Sequence, residues 1–239
     1  MLAIAQVEVA VKTFWGDLMK HYPKPEVGAV GYTFAESEVR HQDAYAHLLE
    51  VLGLNNAFAQ LADIPALNAR VQVLDGHVRR SPTGISAHDG RQRALSVLLF
   101  AAFVEHASLF SQFLIMKSFD RYRNRFKGVA NIVEATSKEE QIHGMFGYEL
   151  VRILKVERPE WFDAAFDERV RSACRAAYEA ELGIVDWIFE AGELDFLPRR
   201  SVDAFVDARF DTALELAGFQ PIFRPDPSEL EATRWFEEE

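Results

Sequence analysis

The chain has 239 residues, of which 49% are hydrophobic and 26% are charged, so its apolar content suffices for one large domain or two small ones. Its formal net charge of -11 argues against nucleic-acid and anionic-membrane partners, which select for an excess of Lys and Arg. The single cysteine, Cys174, excludes an internal disulfide, and the N-terminal stretch lacks the features of a secretory signal. We therefore expect a cytoplasmic protein.

Apolar residues recur at helical spacing along most of the chain, and no segment alternates as a strand does. In chain order, the predicted helices cover Leu2–His21, Thr33–Leu52, a shorter Pro65–Arg80, Ser86–Tyr122, Val129–Val156, Pro159–Ala191 and Ser201–Ala217. Residues 220–239, which include three prolines and a run of acids, are predicted to be largely irregular. Because no linker or repeat divides the chain, residues 1–239 are predicted to form a single all-α domain, a four-helix bundle with additional flanking helices.

Two Glu-x-x-His pairs lie inside predicted helices, Glu38 with His41 and Glu140 with His143. Residues three apart share a helix face, so each pair can converge on one ion. Taken alone, the pairs are weak evidence, because two surface pairs on solvated faces would have the same spacing.

Two further glutamates stand in strongly apolar surroundings, Glu8 in LAIAQVEVAV and Glu105 in LLFAAFVEHASLF. An ionised carboxylate buried in such a helix is costly unless it meets a cation. A protonated carboxyl or a pairing with Arg would also explain one such residue. Together with the Glu-x-x-His pairs, however, they indicate a shared metal site, and the polar residues near Glu105 favour a buried helix over a membrane span.

The combined set is four glutamates and two histidines on four helices, which is the ligand set of ferritin-like dimetal carboxylate proteins. Oxygen-rich ligands favour two Fe or two Mn ions, or a mixed pair, over zinc. Chain order predicts the grouping: one ion is held by Glu8, Glu38 and His41, the other by Glu105, Glu140 and His143. Glu38 and Glu140 are the natural bridges.

Tyr45 follows His41 by four residues, one helical turn along the same face, which predicts that its ring lies beside the first ion. An oxidised metal site could then oxidise this ring. An ordinary core tyrosine would show the same spacing, and this alternative stays open.

The residues around the predicted ligands, FAESEVRHQDAYAHLLEVLGL, VEHASLFSQFLIM and EEQIHGMFGYEL, resemble the small subunit of class I ribonucleotide reductase over nearly the whole chain. The resemblance implies a homodimer whose dimetal centre is oxidised by an oxygen species. It further implies that the stored equivalent passes to a large catalytic subunit, which reduces ribonucleotides. Tyr45 takes the radical-tyrosine position by this resemblance, and a glutamate at position 8 resembles the manganese-using subclasses.

In one manganese subclass the metal pair itself stores the equivalent, which would make Tyr45 a spectator. Two departures from the family accompany the resemblance. Glu139 stands where the family usually has an aspartate that links a metal ligand to a tryptophan. Relative to the family, the chain is expected to be shortened at both ends, where radical-relay residues lie. We therefore expect metal oxidation without sustained turnover.

Two alternatives compete with the reductase interpretation. A ferritin-like storage protein would use the same ligands to oxidise and deposit iron, and a structural bundle would carry the Glu-x-x-His pairs by accident. Related ligand-binding oxidases build a tyrosine-to-valine crosslink at such a site, but the matching tyrosine position is Phe100 here.

Overall fold

The computed structural model describes residues 1–54, 56, 63–78 and 86–238, without the side chains of residues 8, 9, 75–78 and 87. Glu8, one of the predicted ligands, therefore lies in the first helix, and the position of its side chain is not among the described residues' side chains.

The described residues form helices joined by short turns. In chain order they are α1 (Leu2–Gly16), α2 (Leu18–His21), α3 (Pro25–Val51), α4 (Pro65–Val78), α5 (Ala87–Val97), a π-helix (Leu98–Ser108), α6 (Leu109–Arg123), α7 (Lys127–Glu157), α8 (Ala164–Ile188), α9 (Arg199–Leu216), α10 (Pro227–Leu230) and α11 (Trp235–Glu238). Within this part of the chain there is no strand, apart from an isolated bridge between Leu194 and Leu197.

The ends of the helices follow local chemistry, but several predicted bounds differ. The helix predicted over Pro159–Ala191 is a 3₁₀ turn, Pro159–Trp161, followed by α8. Residues 220–239, predicted to be largely irregular, contain the helical turns α10 and α11, because Asp226 caps the first of them and Pro227 suits its first position. The first predicted helix divides at Asp17 into α1 and α2, and α3 begins at Pro25 instead of near Thr33. Proline suits the first helical position because its missing N–H would have no partner there. Ser86 and Asp89 form a reciprocal capping box at the start of α5.

Four helical segments make the bundle that positions the predicted site. Helix α1 packs along α3, the π-helix and α6 pack against α7, and α3 contacts α7. Helices α8 and α9 pack against the π-helix from another side, and α4 packs against α8 and α1. Each of the four ligand-bearing segments, α1, α3, the π-helix and α7, thus has a neighbour that also carries predicted ligands.

The π-helix is the most deeply buried segment of the bundle, and all of its residues are buried. One continuous helical stretch of the described chain, His88–Arg123, is long and apolar enough to span a membrane, and its most apolar window is 100% buried within the fold. This stretch is therefore a central helix of the core. The polar residues interspersed in it had favoured a buried helix over a membrane span.

Candidate metal centre

Five predicted ligands have described side chains, and the fold brings all five into the interior of the bundle. Their exposed fractions are 0% for Glu38, 4% for His41, 0% for Glu105, 0% for Glu140 and 2% for His143. Helix α3 supplies the first pair, the π-helix supplies Glu105, and α7 supplies the last pair.

The carboxylates of Glu38 and Glu140 each face both imidazoles. His41 Nδ1 lies 3.2 Å from Glu38 Oε2 and 3.0 Å from Glu140 Oε1. His143 Nδ1 lies 3.0 Å from Glu38 Oε1 and 3.2 Å from Glu140 Oε2. Each carboxylate thus turns one oxygen toward each histidine, which is the arrangement that a bridging ligand of two ions needs.

Glu105 defines one end of this cluster. Its Oε1 lies 3.8 Å from His143 Nδ1. Potential ligand atoms of Glu38, Glu105, Glu140 and His143 all lie within 4.8 Å of one another, a spacing that one metal ion could fill. His41 lies at the other end, across the two shared carboxylates.

In the absence of metal, protons on Glu105, His41 and His143 offset the negative charge of the clustered carboxylates. Burial raises the pKa of Glu105 to about 8, because its charged form loses hydration, although His143 partly opposes the shift. Burial disfavours protonation of His41, but the carboxylates of Glu140 and Glu38 outweigh it and raise the pKa to about 10. For His143 the carboxylates of Glu105, Glu140 and Glu38 likewise outweigh burial and raise the pKa to about 12.

The donor set fits a dinuclear centre of Fe or Mn. Three carboxylates meet in a dry core, and Glu105 Oε2 accepts no hydrogen bond from any described residue. Buried carboxylates at this spacing repel one another and are stable only with cations or protons among them. Hard oxygen ligands with two imidazoles suit Fe and Mn, whereas zinc usually takes sites richer in nitrogen and sulfur.

The outer nitrogens of the two imidazoles have different partners. His41 Nε2 lies 2.7 Å from Glu139 Oε2, and Arg40 also bonds that carboxylate at the surface. His143 Nε2 lies 3.0 Å from Ser37 Oγ, which donates to the carbonyl of Phe34. A partner at Nε2 keeps a proton on that nitrogen, so Nδ1 is the nitrogen that would bind an ion once its own proton is lost.

Ser37 is a contact that the sequence analysis missed, and its position immediately before Glu38 was the one signal that could have revealed it. Glu139 was noted for replacing an aspartate. In the structure its carboxylate contacts His41 Nε2 and accepts a hydrogen bond from Arg40.

A second missed contact comes from α1. Trp15 is completely buried, and its indole Nε1 donates to Glu105 Oε1 at 2.6 Å. Nothing in the local sequence distinguishes this tryptophan from an ordinary core residue, because its partner lies 90 positions away in the chain.

Tyr45 is completely buried and belongs to the main hydrophobic core. Burial agrees with the predicted position on the inner face of α3. A fully buried phenol is compatible with a radical site and equally with a core tyrosine, so its redox role stays a prediction.

Comparison with known proteins finds a matching family and similar sequences. The family model "Ribonucleotide reductase, small chain" matches residues 1–230. A probable ribonucleoside-diphosphate reductase small subunit of Invertebrate iridescent virus 3 is 24% identical over 230 residues, covering 91% of this chain. The ribonucleoside-diphosphate reductase subunit beta of Chlamydia pneumoniae is 24% identical over 212 residues, covering 86% of this chain. The chain spans 61% of the length of each of these two relatives.

Solved structures show the same fold at low sequence identity. The ribonucleotide reductase R2 subunit from Clostridium botulinum superposes with a TM-score of 0.84 at 15% identity, covering 99% of this chain and 74% of that one. A putative class I ribonucleotide reductase from Bacillus halodurans gives 0.82 at 13% identity, with coverages of 99% and 83%. The dimanganese(II)-NrdF of Streptococcus sanguinis gives 0.75 at 15% identity, with coverages of 96% and 79%. The all-α, ferritin-like bundle predicted from the sequence is confirmed.

Proposed function

Because this chain belongs to the ribonucleotide reductase small-chain family, whose model matches residues 1–230, we propose that it is the metal-bearing small subunit of a class I ribonucleotide reductase. The observation that carries the proposal is the buried cluster of carboxylates and imidazoles shared by α3, the π-helix and α7. When bound, the ion pair would react with an oxygen species and store the oxidising equivalent that the large subunit uses to reduce ribonucleotides.

In this proposal, Glu38 and Glu140 would be shared by the two ions. His41 and Glu8 would complete the ligands of one ion, and His143 and Glu105 would complete those of the other. The paired distances from both Nδ1 atoms to both bridging carboxylates support the bridging role. The assignment of Glu8 rests on the sequence pattern.

The surrounding residues hold the ligands in place and exclude water. Glu139 and Ser37 accept hydrogen bonds from the outer N–H groups of His41 and His143, which keeps each Nδ1 available as a ligand. Tyr45 would be the side chain that the oxidised centre can oxidise, since it lies in the dry core one turn beyond His41.

We propose Fe or Mn as the native metal, and the relative from Streptococcus sanguinis, described as a dimanganese(II) protein, supports manganese as one candidate. Ferritin-like iron storage is the weaker alternative, because the family match and the curated relatives are reductase small subunits.

The proposed partners are the large catalytic subunit and a second copy of this chain, and the proposed location is the cytoplasm, with no nucleic-acid or membrane partner. Exposed hydrophobic side chains on the long helices support the homodimer: Tyr32 and Val39 on α3 are 58% and 43% exposed, and Ile142 and Met145 on α7 are 56% and 67% exposed. Such residues favour an isologous contact between helix faces. Light scattering at micromolar concentration should give twice the chain mass, and a monomer would refute the dimer.

Metal loading tests the centre itself. Metal-free protein supplied with Mn(II), or with Fe(II) without air, should retain two ions per chain after removal of excess metal. The double variant Glu38→Ala, Glu140→Ala should retain none, because both bridges are lost. Glu149→Ala, on the exposed side of the same helix α7, is the matched control and should retain two. Loss of metal from the control, or retention by the double variant, would refute the site.

Two further measurements separate the reductase role from storage. Iron supplied in air should stop at two ions per chain, whereas a storage protein would deposit many ions and assemble into a cage. Deoxynucleotide formation with a cognate large subunit should be measured for this chain and for a form extended to the length of the curated relatives, which this chain covers by 61%. Turnover by the extended form is expected, and no turnover by either form would refute the subunit role.

A further inference from the structure

Trp15 connects α1 to the metal cluster through one short hydrogen bond. Its indole Nε1 donates to Glu105 Oε1 at 2.6 Å, and the tryptophan and the carboxylate both have 0% exposure. Once Glu105 is ionised, as a metal ligand must be, a bond to its carboxylate in a dry core is stronger than the same bond at the surface. Helix α1 therefore contributes to the site at Glu105 through a residue that is not itself a predicted ligand.

The fold fixes the position of the indole from several sides. The ring of Trp15 packs edge-on against Phe34 at 5.0 Å between ring centroids and against Phe14 at 4.9 Å. On the backbone side, a Cβ added at Gly31 would lie 2.6 Å from the carbonyl oxygen of Trp15. The end of α1 thus lies directly against α3 at a glycine, and the indole has little freedom to move.

The chemistry of the indole separates it from the other groups that touch the carboxylates. His41 and His143 also contact carboxylates, but their Nδ1 atoms face the cluster and would bind ions instead. An indole N–H is a donor only and is not a metal ligand, so its bond can persist when ions are bound. Being neutral, it orients the carboxylate of Glu105 without cancelling the negative charge that an ion needs.

We propose that Trp15 is a positioning residue of the metal centre: its N–H holds Oε1 of Glu105, the oxygen that lies 3.8 Å from His143 Nδ1, and thereby orients the carboxylate toward the ion at the His143 end. The inference rests on the proposed function, since it presupposes that the cluster binds two ions. Oε2 accepts no hydrogen bond from the described residues, and Oε1 is held by the indole. Removing the N–H frees the carboxylate to rotate, and the ion that depends on Glu105 binds more weakly.

The effect should fall on one ion more than on the other. Glu105 shares a 4.8 Å group with Glu38, Glu140 and His143, and His41 lies outside this group. The ion at the His41 end would not contact Glu105 and would be affected by it only through Glu38 and Glu140, the carboxylates that both ions would share. A general loss of stability, by contrast, would weaken both binding steps alike.

The test is a Mn(II) titration of the metal-free chain, in which free Mn(II) is counted from its electron paramagnetic resonance signal. The Trp15→Phe variant removes the N–H and keeps an aromatic ring. One of the two binding steps should weaken roughly tenfold or more, as is typical when a residue that orients a metal ligand is lost. The other step should stay near its wild-type affinity.

Trp235→Phe is the matched control. Trp235 is also a buried tryptophan, and its Nε1 donates to the carbonyl of Ala232. Its replacement by Phe removes an indole and an N–H hydrogen bond, as Trp15→Phe does, but at a site that makes no contact with the predicted ligands whose side chains are described. Both steps in this control should match wild type. Equal affinities in the two variants, or equal weakening of both steps in Trp15→Phe, would overturn the proposal. Failure of wild type to bind two ions would instead overturn the proposed function.

A second measurement needs no substitution at Trp15. The chain contains four tryptophans, and ¹⁵N labelling of tryptophan gives one indole N–H resonance for each. Single Phe variants of Trp161, Trp187 and Trp235 assign three of them and leave Trp15 by elimination. Loading with diamagnetic Zn(II) should move the Trp15 resonance and leave that of Trp235 in place. A Trp15 resonance that stays unmoved while two Zn(II) ions bind would refute the contact between the indole and a metal ligand.

Discussion

Binding of two divalent ions at pH 7 is expected to release two to three protons per chain. In the metal-free protein the pKa of His41 is raised to about 10 and that of His143 to about 12, so both imidazoles carry a proton at neutral pH. Glu105, with its pKa raised to about 8, is also mostly protonated there. Metal ligands must lose these protons, because an ion and a proton compete for the same lone pair.

The number of protons sets how steeply affinity depends on pH. Each proton displaced changes the free energy of binding by about 1.4 kcal/mol per pH unit. Two imidazole protons therefore give about 2.7 kcal/mol per unit, or a factor of about 100 in the combined affinity for the ion pair. The sign is fixed: affinity rises with pH below about 8, and Glu105 adds to the slope until it ionises near that pH.

Calorimetric titration with Mn(II) in two buffers of different ionisation enthalpy measures the released protons directly. The double variant Glu38→Ala, Glu140→Ala provides the baseline, because it should neither bind the ions nor release protons. His106 is an internal control: burial, with a contribution from Arg209, lowers its pKa to about 3, so it carries no proton to release at pH 7. Release of less than one proton per ion pair, or an affinity that does not rise between pH 6 and 8, would refute the reasoning.

Four further outcomes are expected. Glu139→Gln should weaken metal binding roughly tenfold in the Mn(II) titration, because His41 loses a charged partner at 2.7 Å, and unchanged affinity would contradict this. Gly144→Ala should lower the free energy of unfolding in urea by about 1–3 kcal/mol, because its Cβ would lie 2.8 Å from that of His106; an unchanged midpoint would show that the site can relax. Tyr45→Phe should keep two ions and lose any tyrosyl radical signal after oxidation, whereas a persistent signal would place the radical elsewhere. Metal-free protein should lose stability in urea as pH rises from 6.5 toward 10. The protonated imidazoles of His41 and His143 stabilise the fold fully below pH 6.5, their unfolded pKa, and this contribution is lost as pH rises toward their raised folded values. A stability that rises over this range would argue against protonated imidazoles.

Helix positions were predictable where one face of the helix is apolar and the other polar. Helix α7 was predicted as Val129–Val156 and spans Lys127–Glu157, because its buried residues recur at helical spacing. The start of α3 was placed too late, since Pro25 was interpreted as a break although proline also begins helices. The π-helix Leu98–Ser108 was not predicted, because a segment that is apolar at nearly every position carries no periodicity to distinguish it from an α-helix.

The sequence by itself determined the fold class and predicted the residue types of the buried cluster. Glutamates inside apolar helices and Glu-x-x-His spacing are local patterns, and the cost of burying a charge makes them informative without coordinates. Five of the six predicted ligands have described side chains, and these meet in the core, as the pattern predicts.

The tertiary structure alone decided which residues support those ligands. Trp15 meets Glu105 across 90 positions of the chain, and Ser37 meets His143 across 106. Such contacts depend on how deeply α1 packs against α3 and on the rotation of α7 relative to α3, and neither quantity is encoded in a local pattern. Ligand types follow from the energy of burying charge, whereas their partners follow from the packing of helices that are distant in sequence.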